Sequence, residues 1–149
     1  MNEKEFRKTY GVLCERTIEV FLNEGHLSEI IMGVDGNGKI HIIGIAHSNR
    51  DTIVEGMRKL FKLLRPTMYV HVTETKMRAH TPGATMEADA ITVLGVSREQ
   101  ILLRTYEILR RGQGIKPDAI FRDELSPIPG DGDDPMMKLM DDLEEPNGK

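Results

Sequence analysis

The sequence has few of the residues that crosslink small domains, such as cysteine, and lacks the long apolar runs that anchor a chain in a membrane. It contains one cysteine, Cys14, and no tryptophan, and only 5% of its 149 residues are aromatic. A single cysteine excludes an intramolecular disulfide and any zinc site built from several cysteines. No apolar run approaches the roughly 18 residues of a spanning helix, so we expect no membrane insertion. The charged first residues do not resemble a secretory signal, and we expect a cytoplasmic protein.

Over most of the chain, neither positive nor negative charge is in excess. The 20 Lys and Arg residues nearly balance the 24 Asp and Glu residues, which excludes a strongly basic protein that coats nucleic acid. Residues 126–149 contain seven of the acids and two of the bases, and the first ten of these residues include three prolines and two glycines. Such a segment favours neither helix nor central strand. We predict one domain over residues 1–125 and a disordered acidic tail over residues 126–149.

Two segments have apolar residues at spacings of three and four, which is typical of helices buried on one side. The first covers residues 3–23, and Gly25 is placed to end it in a left-handed conformation. The second covers residues 50–64, where Ser48 or Asn49 can cap its first turn. Both segments are therefore predicted to be helices.

The clearest β signal is a hairpin. Residues 29–34 and 39–46 are rich in isoleucine and flank an Asn37-Gly38 pair. Both turn residues tolerate positive φ, so this pattern predicts two antiparallel strands.

Three further segments complete the pattern. Residues 68–75 and 89–96 alternate as strands do, and the segment between them, 76–87, is predicted to be a long loop, which in a compact domain is either functional or mobile. Residues 101–111 are ambiguous: the helical period fits them better than strand alternation does.

One stretch of the sequence resembles a known group of proteins. Residues 73–77 are Thr-Glu-Thr-Lys-Met, followed by Pro82 and then by Ala-Ile-Thr-Val-Leu-Gly-Val-Ser-Arg over residues 90–98. These features are similar to those of a group of small uncharacterised bacterial and phage α+β proteins, in which a strand ends in Ser/Thr-Glu-x-x-Met and a proline-containing loop follows. The resemblance covers about residues 30–111. It implies a strand in the ambiguous segment and implies no activity, and the chain departs from it at Lys76, where an aromatic residue is usual, and in its acidic tail.

With that strand adopted, the chain order is α-β-β-α-β-β-β. We predict an α+β fold: a two-layer sandwich in which an antiparallel sheet of four to five strands, paired in sequential order, carries both helices on one face.

Polar residues at the end of the third predicted strand are the candidates for chemistry. A carboxylate and imidazoles can move protons, so His71, Glu74 and His80 are the candidate catalytic residues. Thr73 and Arg78 are the candidate ligand-binding residues, because a hydroxyl and a guanidinium can hold an anion. The ordinary alternative is a polar strand end followed by a solvated loop.

Metal and cofactor motifs are absent from the sequence. His41 or His47 could meet His71 across a strand pair, with Glu74 as a third ligand, but no His-x-His or His-Glu-x-x-His spacing supports such a site. Phosphate-loop and dinucleotide-binding motifs are also missing. We therefore predict no bound metal and no cofactor.

A possible partner surface combines the second helix with the tail. The helix has a basic side, and residues 135–145 have a narrow apolar stripe between acids; alone, that segment is too short for a stable helix. One hypothesis is that it docks on a protein partner or on a second copy, next to Arg58, Lys62 and Arg65, and the other is that it only solubilises the chain. The candidate partner-binding residues are Arg58, Lys62, Arg65, Met136, Met140 and Leu143.

These observations favour a small non-enzymatic interaction or accessory protein, of phage or mobile-element origin. The first alternative is a small enzyme with a site at Glu74 and residues 76–88. The second is a weak nucleic-acid binder that uses the second helix. The partner itself, whether another protein or a second copy, is not identified by the sequence.

Overall fold

The computed structural model describes residues 1–46, 49–109, 119–127, 136 and 138–140; for residues 75–81, 84–88, 109 and 119–127 it describes the backbone. All six of the described strands lie in one antiparallel sheet, in the order β2-β1-β3-β4-β5-β6. The elements are α1 (Glu3–Glu24), β1 (Ile30–Val34), β2 (Ile40–Gly44), α2 (Arg50–Leu64), β3 (Met68–Thr81), β4 (Ala84–Ser97), β5 (Ile101–Leu109) and β6 (Ala119–Pro127).

Local sequence signals set the ends of both helices. The Asn2 side chain accepts a hydrogen bond from the Glu5 amide at 2.8 Å and caps α1, which ends at Gly25 with φ 82°. Asn49 caps α2, because its side chain accepts hydrogen bonds from two amides of the first turn. The predicted α+β fold, with two helices and an antiparallel sheet, is confirmed. The predicted sequential strand order is wrong at one point, because β1 and not β2 pairs with β3.

The predicted long loop over residues 76–87 is wrong. β3 runs on to Thr81, β4 begins at Ala84, and the two strands pair without interruption from Met68↔Ser97 to Thr81↔Ala84. The reason is the turn between them, where Pro82 is followed by Gly83 with φ 88°. Proline and then a positive-φ glycine suit a tight turn between antiparallel strands, so no loop is needed.

The ambiguous segment forms strand β5, as the resemblance implied and the helical period did not. β5 lies between β4 and β6 and pairs with both along most of its length. Pairing on two sides therefore decided its structure over a weak local helical pattern. β6 is a further strand, to which the sequence analysis assigned no structure.

The placement of the helices requires a correction, because they lie on opposite faces of the sheet and not on one. Met32 and Val70 lie in the apolar cluster beneath α1, whereas their chain neighbours Ile31 and Tyr69 lie in the cluster beneath α2. Successive residues of a strand point to opposite faces, so apolar residues of both parities require a cover on each side. We call these sides the α1 face and the α2 face.

The described part of the predicted tail contacts the body of the protein. Ser126 and Pro127 belong to β6, and Met136, Leu139 and Met140 are buried in the cluster of the α2 face. The predicted disorder of residues 128–135 and 141–149, including candidate residue Leu143, lies outside the described residues. Within the described part of the chain, no helix is long and apolar enough to cross a membrane.

Candidate functional site

A carboxylate, an imidazole and a guanidinium meet at one end of the α2 face. Glu29 lies just before β1, His71 lies in β3 and Arg50 is the first residue of α2. The Nε2 atom of His71 is 2.5 Å from Oε2 of Glu29, and the Arg50 guanidinium donates a hydrogen bond to the same oxygen at 3.1 Å. These groups converge because β1 and β3 are neighbours and the first turn of α2 begins beside them.

This cluster is held in a partly desolvated position. His71 is buried, the Glu29 side chain is 25% exposed and the Arg50 side chain is 52% exposed. Burial raises the pKa of Glu29, but the hydrogen bonds from His71 and Arg50 outweigh it, so this pKa lies below its ordinary value. A carboxylate that orients an imidazole can support general acid–base chemistry, and it can equally tie two strands and a helix together.

The sequence analysis selected His71 but missed Glu29 and Arg50. The structure also separates His71 from candidate residue Glu74, because Glu74 has the opposite parity on β3 and falls on the other face of that strand. Thr73 is half-buried and Glu74 is exposed.

The residues of β3 beyond Thr75, with the residues of β4 opposite them, form a two-stranded extension of the sheet. The pairing of β3 with β1 ends at Val72, and the pairing of β4 with β5 ends at Ala90. Residues 76–81 and 84–89 consequently pair only with each other among the described strands. We call this extension the arm. Candidate residues Arg78 and His80 occupy register positions in it, opposite Glu87 and Thr85, while their side chains lie outside the described residues.

Of the two histidines in the predicted second strand, the structure describes His41, which contacts a carboxylate of the hairpin turn. His41 Nε2 lies 2.9 Å from Oδ2 of Asp35, across the hairpin turn, and His47 lies outside the described residues. Among the side chains that the structure describes, no group of three His, Cys, Asp or Glu residues is arranged to hold a metal ion.

The single cysteine belongs to a buried polar cluster on the α1 face. Cys14 is fully buried, and burial raises the pKa of its thiol, so it does not supply a thiolate nucleophile. Arg104 places its guanidinium carbon 5.9 Å from the centre of the Tyr10 ring and donates a hydrogen bond of 3.4 Å to the Tyr106 hydroxyl. Burial raises the pKa of Tyr106 to about 12, so both its hydroxyl and the thiol stay protonated near neutral pH.

The apolar residues of the tail cover part of the α2 face. Met136, Leu139 and Met140 are 0%, 1% and 4% exposed. The Tyr69 hydroxyl donates a hydrogen bond to the carbonyl of Met136 and accepts one from the Leu139 amide at 3.4 Å. Candidate residues Met136 and Met140 therefore pack on this chain's own α2 face. Of the basic candidates on α2 and at its end, Lys62 and Arg65 are exposed and Arg58 is half-buried.

No protein-family model matches the chain, and no match to it was found among curated proteins or among solved structures. What the protein does must therefore be argued from its own geometry.

Proposed function

We propose that this is a cytoplasmic, non-enzymatic interaction protein that binds a protein partner through the arm. The observation that carries the proposal is that residues 76–81 and 84–89 pair only with each other among the described strands, beyond the end of the pairing with β1 and β5. An isolated two-stranded hairpin is marginally stable in water, so a partner that pairs with the arm or packs on it would stabilise it.

The composition of the arm favours a protein partner over nucleic acid. Its register places residues of opposite charge at paired positions, and its two basic and two acidic residues leave the arm with no net charge. Methionine and alanine alternate with these charged residues along both strands, and flexible methionines suit packing against another protein. The charged pairs are Lys76–Asp89 and Arg78–Glu87, and the apolar pairs are Met77–Ala88 and Ala79–Met86.

Photo-crosslinking in cells of the native host tests this proposal. A photoreactive residue at Thr85 in the arm should give a defined crosslinked protein, whereas one at exposed Asn37, in the turn of the other hairpin, should not. A variant in which Asn-Gly replaces residues 76–89 should stay folded. It should no longer bind the crosslinked protein once that protein has been purified. Equal crosslinking at both positions, or unchanged binding by the shortened variant, would contradict the proposal.

A second candidate function, a small enzyme, is favoured by the 2.5 Å contact between His71 and Glu29. A thermal-shift screen of small metabolites with wild type and Glu29→Gln tests it. An enzyme site predicts a ligand that raises the melting temperature of wild type and of Asp35→Asn, which breaks the other histidine–carboxylate pair, but not of Glu29→Gln. Nucleic-acid binding through α2 stays an alternative prediction.

A further inference from the structure

The α2 face is covered by two elements that are far apart in the sequence. α2 covers part of it, and the tail residues Met136, Leu139 and Met140 cover another part. Between β6, which ends at Pro127, and Met136 the sequence contains two prolines, two glycines and three aspartates. These tail residues thus reach the face through a polar connection of low helix and strand propensity.

The surface beneath the tail is apolar and has one polar anchor. The Tyr69 hydroxyl contacts the backbone of the tail at Met136 and at Leu139, and its ring packs edge-on against Phe61 with ring centres 5.0 Å apart. We use the name tail-binding surface for the buried residues of α2, β3 and β4 that share one apolar cluster with Met136, Leu139 and Met140. They are Met57, Phe61, Tyr69, Leu94 and Val96.

The contacts resemble those of a bound peptide. Three apolar side chains spaced i, i+3 and i+4 fill the surface, while Tyr69 holds the peptide backbone. Methionine is flexible and adapts to such surfaces, and two of the three side chains are methionines. Because the segment belongs to the same chain, its local concentration at the surface is on the order of millimolar, so even a weakly binding segment stays in place.

Charge restricts which other peptides would compete. The residues that follow the buried segment are Asp141, Asp142, Glu144 and Glu145, and α2 presents exposed Lys62 on its outer side, with exposed Arg65 at its C-terminal end. An acidic segment is therefore a better match than a basic one.

We propose that the tail-binding surface is a binding site for a short acidic protein segment with methionine or leucine at positions i, i+3 and i+4. The tail of the same chain occupies this site and competes with the partner segment. The site is separate from the arm, so the two proposals stand or fall independently.

Fluorescence anisotropy with a labelled peptide of residues 135–146 tests the proposal on the full chain. Wild type should bind the peptide weakly, because its own tail competes. Met136→Ser/Leu139→Ser removes two of the buried apolar side chains. This variant should bind the peptide at least about tenfold more tightly, because the added peptide no longer competes with an attached tail at high local concentration. Lys138→Ala, in the same segment but outside the apolar cluster, should bind like wild type.

Two additional measurements keep the test decisive. A peptide carrying the same two serines should not bind, and adding Tyr69→Phe to the double variant should weaken binding of the natural peptide about fivefold, because one anchoring hydroxyl is lost. If the double variant is unfolded, the natural peptide at about 1 mM should restore its melting transition.

The proposal is overturned if the folded double variant does not bind the natural peptide, or if wild type and the double variant bind it equally. It is also overturned if an unfolded double variant is not rescued by the peptide, because the tail is then an integral part of the core.

Discussion

The two faces of the sheet are covered in different ways. On the α1 face, one helix of 22 residues buries Phe6, Tyr10, Leu13, Cys14 and Phe21 among others against the strands. On the α2 face, a helix of 15 residues buries only two side chains fully, and a tail segment from the far end of the chain supplies additional cover. One face of the sheet is therefore covered by a continuous helix, whereas the burial of the other face depends in part on a segment that is distant in the sequence.

A buried tyrosine shows the difference on each face. Tyr10 of α1 donates its hydroxyl to the carbonyl of Val93 in β4 at 2.6 Å, which joins the helix to the sheet. Tyr69 of β3 donates its hydroxyl to the carbonyl of Met136, which joins the sheet to the tail. We therefore expect the α1 face to open only when the whole domain unfolds and the α2 face to open locally.

The largest expected effect is on the free energy of unfolding, and it differs between two buried leucines. Leu13→Ala on the α1 face should lower the free energy of unfolding by about 3 kcal/mol, because it leaves a cavity in a core that cannot open locally. Leu139→Ala in the tail should cost about 2 kcal/mol or less, because its cost cannot exceed the free energy of docking the tail. Urea unfolding of both variants measures these free energies. An equally large loss of unfolding free energy in both variants would contradict the difference between the two faces.

Two strand glycines give the next comparison. A Cβ atom at Gly95 would lie 2.5 Å from the ring of Tyr10, so Gly95→Ala should cost about 2 kcal/mol by forcing the helix outward. A Cβ atom at Gly33, on the α2 face, would lie 3.7 Å from the nearest atom, Cβ of Pro66, so Gly33→Ala should stay within about 0.5 kcal/mol of wild type. Thermal unfolding of the two variants checks the order, and a Gly33→Ala variant as unstable as Gly95→Ala would contradict it.

Removal of each buried hydroxyl should have a smaller effect. Tyr10→Phe and Tyr69→Phe should each cost about 1 kcal/mol, the net value of one buried hydrogen bond. Amide exchange distinguishes them: Tyr69→Phe should speed exchange in the tail, and Tyr10→Phe should leave the tail unchanged. Faster tail exchange in Tyr10→Phe would show that the two faces are coupled.

The smallest expected effect is a pH dependence on the α2 face. The pKa of Glu29 is lower in the folded protein than its ordinary value of 4.5, so the folded state holds this proton less tightly than the unfolded state does. The stabilisation is present above about pH 4.5 and is lost as the pH falls through the lower folded pKa. The difference in urea midpoint between wild type and Glu29→Gln should therefore shrink below this pH, and a difference that grows would contradict the role of the pair.

The sequence predicted the elements that local signals control. The bounds of α2 match the prediction residue for residue, and Gly25 ends α1 as expected. The placement of the helices was missed because one parity of β3 contains His71 and Thr73, which suggests a solvated face, whereas both parities of β1 are apolar, as Ile31 beside Met32 shows. The arm was missed because the Pro82-Gly83 turn was assigned to a loop.

The candidate site was less predictable than the fold. Glu29 and His71 are 42 residues apart and meet only because β1 pairs with β3 in one particular register. The apolar residues of the tail, Met136, Leu139 and Met140, suggested docking on a partner or a second copy as one hypothesis, beside a tail that only solubilises the chain. It could not show that the surface belongs to the same chain, since that depends on how β3, β4 and α2 pack.

The central claim, that the α2 face opens locally and the α1 face does not, is tested most directly by native-state hydrogen exchange. The claim predicts that the amides of Leu139 and Met140 exchange with an opening free energy well below that of global unfolding, and that Leu139→Ala accelerates them further. The buried α1 amides around Leu13 and Thr17 should exchange only by global unfolding. A single opening free energy shared by α1, α2 and the tail, lowered equally throughout by Leu139→Ala, would contradict it.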